Sequence, residues 1–477
     1  MAVTRALTDL VEAARRRGAE YADARHVERE QESVSVKDGE LEGVDRSSDR
    51  GIGFRVLVRG AWGFAATDRT SDAALRSLVD AAFQRAEASL TTQRVPVRLA
   101  PQEPQRGSYR TPLRRDPFAV PLAERVDLLR QADAALRGPN ARTRRASVSA
   151  YRTRKRLVSS DGTDVEQELV DTATGLSVLA VKAGAKPAQR YDMRNARQAG
   201  WEFVEEDDMP RRAAEYRDDV ESILDAPLAQ ARPTTVILDQ PFLALLVHES
   251  CGHPTESDRV LEHEVAFAGT SFMWPDDRGR LRYGSPHVSI TADATVPGGM
   301  GTFGWDDDGV PATRTKLIDR GIFVGYLSSR ETAGALGIPA SGGSARAEGW
   351  QHFPIVRMVN VSLDAGPRTF PDLVREIDDG LLLCSPASYS LDDKRQNFHF
   401  SAQVARVIRK GEIQGHVRGV AFQSLTPDFW GRCDGVADDW ELHGFLSCAK
   451  GEPLQLMRVA HGAAHARFRE LPLEVVP

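Results

Sequence analysis

From residue 233 onward, apolar runs of strand length are cut every few residues by Gly, Pro or Asp. HVSITAD, TRTKLIDRGIFVGYLSS, IVRMVNVSLDAG, GLLLCSPASYSLDD and HFSAQVARVIRKGEIQGHVRGVAF are examples. Such runs are too short for long helices. Dense strands with turn punctuation predict a β-rich sandwich or barrel-like domain. The first half reads differently. ALTDLVEAARRRG is helical. YADARHVERE and QESVSVKDGELEGVDRS alternate with period two, with Asp38-Gly39 as a hairpin turn. GIGFRVLVRGAWGFAATD reads as two more strands, and SDAALRSLVDAAFQRAEASL as a helix capped by Ser71. A further helix, VPLAERVDLLRQADAALRG, precedes strands that turn at Asp161-Gly162, and MPRRAAEYRDDVESILDAP closes this half. A chain of 477 residues is too long for one ordinary domain. LAQARP reads as a link. The fold class is therefore α+β: an N-terminal α/β domain with antiparallel hairpins, residues 1–230, then a β-rich sandwich or barrel-like domain, residues 231–477.

A net charge of −6 argues against a nucleic-acid partner. No run of 18 apolar residues occurs, so no membrane span is expected. The N-terminal stretch is amphipathic and broken by charges, unlike a secretory signal. Four cysteines, Cys251, Cys384, Cys433 and Cys448, are too few for a disulfide scaffold and fit a reducing cytoplasm.

The chemistry concentrates in LLVHESCGHPTESD, residues 245–258. TVIL before it reads as a buried strand, Asp239 as a helix N-cap, and Pro241 as a first-turn proline. His248 and Glu249 then fall in the last turns of a helix, with His253 at or just past its end. Zinc peptidase helices usually read H-E-x-x-H, which sets two imidazoles on one face. Here the histidines are five apart, and at about 100° per residue the second is rotated roughly 140° away. Two devices restore a shared face: a turn of the chain at Gly252, or a π-type widening of the helix. A carboxylate beside a ligand suits metal-assisted hydrolysis, with Glu249 as the proton carrier. A catalytic zinc needs a third protein ligand, open to thiolate, imidazole or carboxylate. Cys251 competes for that role, or for that of a nucleophile in a thiol hydrolase.

VILDQPFLALLVHESCGHPTESDRV resembles the TldD/PmbA family of metallopeptidases, whose signature is H-E-x-x-x-H with glycine before the second histidine. The resemblance extends to GAEYADARHVEREQESVSVKDGELEGVDRSSDRGIGFRVLVRGAWGFAATD, to GGMGTFGWDDDGVPATRTKLIDRGIFVGYLSSRETA, and to the late β region. It implies the site-bearing kind of subunit. It also implies one zinc per chain, or another divalent metal, held by His248, His253 and a C-terminal cysteine. FLSCAKGEPLQLMRVAHG nominates Cys448, with Cys433 as the fallback. Glu249 would be the general base. The implied substrates are unfolded or short peptides. The implied assembly is a homodimer, or a heterodimer with a related TldE/PmbA-like subunit. The competing reading is a non-catalytic partner subunit or peptide-binding protein with structural or no metal.

Glu256 and Asp258 are candidate second-shell acceptors for the ligand histidines. Asp306, Asp307 and Asp308 read as a turn rather than a calcium loop, with a peptide N-terminus as their other possible partner. Glu262, His263 and Glu264 read as solvated. His461 and His465 are spaced like a helical ligand pair but read as a loop, with a site-lining role left open by their closeness to Cys448. SGGSARAEGW, residues 341–350, reads as a flexible lid.

Overall fold

The structure, a computed structural model, describes residues 2–192, 195–267 and 269–476. It is mixed α+β, as the punctuation pattern predicts. Its two largest sheets take their strands from residues 21–197 and from residues 233–475.

The first sheet is built on four long strands, Tyr21–Lys37, Glu40–Val58, Ala141–Ser159 and Asp164–Ala180, paired antiparallel to one another. Asp38 and Gly39 make the first turn with φ of 51° and 90°, the left-handed geometry that this dipeptide tolerates. The stretches YADARHVERE and QESVSVK are one continuous strand of 17 residues. Four longer helices flank the sheet: Ala2–Arg16, Asp72–Ser89, capped by the Ser71 hydroxyl, Leu122–Ala135 and Met209–Leu224. Each buries one apolar face, such as Leu78, Val79, Ala82, Phe83 and Ala86 on the second.

In the second sheet, strand Pro233–Leu238 lies between Asp379–Leu391, its parallel neighbour, and Ala466–Val475. Ala466–Val475 pairs with Val420–Leu425, which pairs with Asn397–Arg409, which returns to Asp379–Leu391. Five strands thus close a ring, so the barrel-like expectation holds. Phe242, Phe398, Phe400, Phe422, Phe429 and Phe468 are buried and mutually packed here. At about 25 cal/mol per Å2 of apolar surface removed from water, such rings dominate the stability of this half.

Two expectations need correction. Residues 341–350 are not a flexible lid. Ala345–Arg346 pairs with Ile355–Val356, buried Arg346 donates to the Met358 carbonyl, and Trp350 packs so tightly on Gly51 that a Cβ there would meet its ring at 2.4 Å. Asp306, Asp307 and Asp308 do form a turn, but a buried one. Asp307 pairs with Arg25 and Lys155, and Asp308 with Arg55, all three cations belonging to the first sheet. They are committed inside the protein and do not face a peptide. No helix among the described residues is long and apolar enough to cross a membrane.

Candidate metal centre

The strand Pro233–Leu238 delivers the chain to Asp239, whose carboxylate accepts from the Phe242 amide and starts the helix Gln240–Val247. Pro241 sits in the first turn, where no intrahelical donor is lost. Every residue of this helix except Pro241 is buried. At His248 the helix widens into a π turn, His248–Gly252, followed by a 3-10 turn, His253–Thr255. The widening is the second of the two devices that the spacing required. It brings the rings of His248 and His253 to a centroid distance of 4.8 Å. Gly252 suits the tight packing of this turn, because a Cβ there would lie 2.1 Å from Met358 Sδ and that side chain would have to move.

The third donor arrives on a hairpin of strands Glu441–Lys450 and Gln455–Ala463. Its register slips between Phe445 and Cys448, and Cys448 Sγ comes to 3.7 Å from His253 Nε2. Donor atoms of His248, His253 and Cys448 all lie within 4.8 Å of one another, and all three residues are buried. Two ligands on one tetrahedral zinc stand about 3.5 Å apart, given Zn–N and Zn–S bonds of about 2.0 and 2.3 Å. The trio is within roughly an ångström of closing on one ion, so the residues present fit the metal. No other such trio of His, Cys, Asp or Glu occurs among the described residues.

The surrounding hydrogen bonds orient both imidazoles. His461 Nδ1 lies 2.7 Å from the Val361 carbonyl, which only accepts, so that nitrogen carries hydrogen. In the neutral ring, His461 Nε2 then accepts from His248 Nδ1, 2.7 Å away. The lone pair of His248 is thereby on Nε2. Likewise His253 Nδ1 donates to Glu256 Oε2 at 2.9 Å, placing its lone pair on Nε2, the nitrogen that faces Cys448. Phe445 stacks on His248 with centroids 5.0 Å apart and holds that ring from the other side.

Protonation favours ligation. Burial pushes the His253 pKa well below the ordinary histidine range, so the ring is neutral. For Cys448, burial alone would raise the pKa. The contact with His253 and the positive charge of Arg357 outweigh it, and the thiol is held below its ordinary value. Arg357 also donates to the Cys448 carbonyl and, at 3.0 Å, to that of Gln455, fixing both strands of the hairpin. By contrast, burial raises Cys251 and Cys384 far above the ordinary range and Cys433 to about 12, so these three remain protonated thiols. Ligands must be deprotonated, and only Cys448 is prepared for it.

Glu249 is nearly enclosed, with 8% of its side chain exposed, and accepts from Arg395 Nη1 at 3.0 Å. Glu256 also faces Lys450 at 3.4 Å. Asp258 touches neither histidine. It accepts from Lys450 at 2.6 Å and from the Val356 amide at 3.1 Å, and so braces the hairpin. His465 lies apart, paired with Asp439 and stacked on Phe370.

Four residues of this arrangement escape the sequence reading: Phe445, Arg357, Lys450 and Arg395. His461, expected in a loop, is a fully buried strand residue. The alternation of QLMRVAHGA is the signal that would have placed it there. Arg395 sits at a hairpin tip, in LDDKRQN, where nothing local distinguishes it from a solvated charge.

The chain is similar to known proteins along nearly its whole length. A metalloprotease of Methanocaldococcus jannaschii is 26% identical over 423 residues, 89% of this chain and 91% of that one. A protein of Saccharolobus solfataricus named a zinc metalloprotease TldD homolog is 21% identical over 95% of this chain and 96% of its own. The crystal structure of TldE from Thermococcus kodakarensis superposes with a TM-score of 0.73 at 17% identity, over 98% of this chain and 99% of that one, and so shares the fold. Family models for PmbA/TldA metallopeptidase domain 1 and central domain match residues 22–86 and 115–216. The model for the C-terminal domain matches residues 231–472, more than half of the sequence, and the chain belongs to the PmbA/TldA metallopeptidase family.

Proposed function

We propose that this chain is a zinc-dependent peptidase with one metal per chain, held by His248, His253 and Cys448, and with Glu249 as general base. The observation that carries the reading is the convergence of those three donors, beside a carboxylate that follows His248 directly in the π turn. Zinc bound there supplies the Lewis acidity that polarises a carbonyl and lowers the pKa of water toward ~7. The chain's own residues do the rest. Glu249 takes the proton from the attacking water and hands it to the leaving amine. His461 and Glu256 hold the two imidazoles in the tautomers that ligation requires. The buried surroundings exclude bulk water and strengthen every charge interaction inside.

The proposed substrates are unfolded or short peptides, reached in a chamber formed with a second subunit, either a copy of this chain or a TldE-like relative. The proposed location is the cytoplasm, and the proposed division of labour is an N-terminal unit, 1–230, beside a catalytic unit, 231–477. A non-catalytic partner subunit would have no use for Glu249, so that reading is not favoured.

The test is metal analysis of wild type and Cys448→Ala, with hydrolysis of a fluorogenic peptide alongside. About one zinc in wild type, lost in the variant together with hydrolysis, supports the site. A variant that keeps both its metal and its activity refutes it.

A further inference from the structure

We propose that Arg395 is a catalytic residue whose guanidinium binds the carbonyl oxygen of the scissile peptide bond and carries the negative charge that develops there. This rests on the reading of Glu249 as general base.

Three observations support it. Arg395 Nη1 donates to Glu249 Oε2 at 3.0 Å, which leaves the other carboxylate oxygen to face the water. The guanidinium therefore stands one carboxylate away from the attacking atom. Second, Arg395 Nε is buried and has no hydrogen-bond partner, although 22% of the side chain reaches solvent. A buried N–H without an acceptor is costly, and a peptide carbonyl would satisfy it. Third, Arg395 occupies the left-handed region at φ 61°, where a non-glycine residue persists only when held. It is held: its amide donates to the Asp392 carbonyl at 3.0 Å, and its carbonyl accepts from Thr426 Oγ1 at 3.0 Å. Asp392 Oδ1 also accepts from the amide of Gln396 at 2.8 Å. The hairpin tip is fixed in a strained shape that aims this one side chain at the base.

The charge balance explains why a cation belongs there. The water oxygen bonds to the carbonyl carbon, its proton goes to Glu249, and the C=O π pair moves onto oxygen. Negative charge leaves Glu249 and appears on the oxyanion, and Arg395 faces both. When the C–N bond breaks, the amine departs with the proton from Glu249, and the charge returns to the carboxylate. Arg395 is paired with an anion throughout, so the environment needs little reorganisation.

The test uses the full zinc-loaded chain with Arg395→Ala and Arg395→Lys. The probes are a fluorogenic peptide and a phosphinic peptide of the same sequence, whose tetrahedral anion mimics the oxyanion. The expected result for Arg395→Ala is unchanged metal content, KM within about threefold, and kcat lower by on the order of 10²-fold. Phosphinate affinity, read by calorimetry, falls by a similar factor, and guanidinium ion or Arg395→Lys restores part of both. Unchanged phosphinate affinity overturns the proposal. So does a loss confined to KM, or one confined to peptides with a free C-terminal carboxylate, which would make Arg395 an anchor for that group. If Arg395→Ala does not fold, Arg395→Gln replaces it under the same criteria. Failure of the general-base reading is seen separately, as undiminished hydrolysis by Glu249→Gln, while phosphinate binding still judges Arg395.

Discussion

Glu249 and His461 make different demands on the same few cubic ångströms. Glu249 accepts only from Arg395 and does not orient a ligand, so Glu249→Gln is expected to keep fold and metal while kcat falls by about 10²- to 10⁴-fold. Peptide turnover beside zinc content checks this. His461 orients His248, and His461→Phe removes the acceptor of the His248 Nδ1 proton. Metal affinity is expected to drop by about 10- to 100-fold, measured by competition with a chelating dye. Removing Cys251, which burial keeps as a thiol, is expected to change neither quantity: Cys251→Ala holds its metal and resists alkylation as wild type does. His248, Glu249 and His253 were legible in sequence because six consecutive residues contain them. The contacts of His461 and Arg395 were not, because they join residues 213 and 146 positions apart. Nothing in a local pattern encodes such a meeting.

One scale up, the π turn is the element on which the centre depends. The sequence stated the problem, five residues between histidines, and named the widening as one of two solutions. What it lacked was Met358, whose side chain fills the space that a Cβ on Gly252 would need. Gly252→Ala is therefore expected to cost about 1–3 kcal/mol by overpacking and to shift His253 off the metal. Thermal unfolding together with zinc content measures both effects. A variant with wild-type stability and metal would show that the turn tolerates more than its packing suggests. The strands near residues 379–425 were legible for the usual reason, a period of two with turn residues between. The lid was misread because glycine and serine signal freedom only when nothing packs on them, and Trp350 and Arg346 do pack.

For the whole molecule, the first sheet is joined to a loop of the second half through the buried aspartates. Lys155 and Arg25 hold the Asp307 carboxyl down at about 2, against the cost of burial. A depressed carboxylate stabilises above its unfolded value of about 3.9, and that contribution disappears as pH falls through the folded one. Asp307→Asn is expected to be destabilised by about 2–3 kcal/mol at neutral pH, with the difference from wild type shrinking between pH 4 and 2. Denaturant melts at a series of pH values check the sign. The junction was invisible in sequence, because WDDDGVP reads only as a turn until the cations of the first sheet are placed over it. The ring has a consequence in time as well as space. Its strand Pro233–Leu238, which launches the motif helix, pairs with Ala466–Val475, made more than two hundred residues later. On the ribosome the histidine motif therefore waits, with one edge of its supporting strand unpaired, until those later residues have been synthesised. An enzyme assembled in that order has no finished active site with which to cut its own emerging chain.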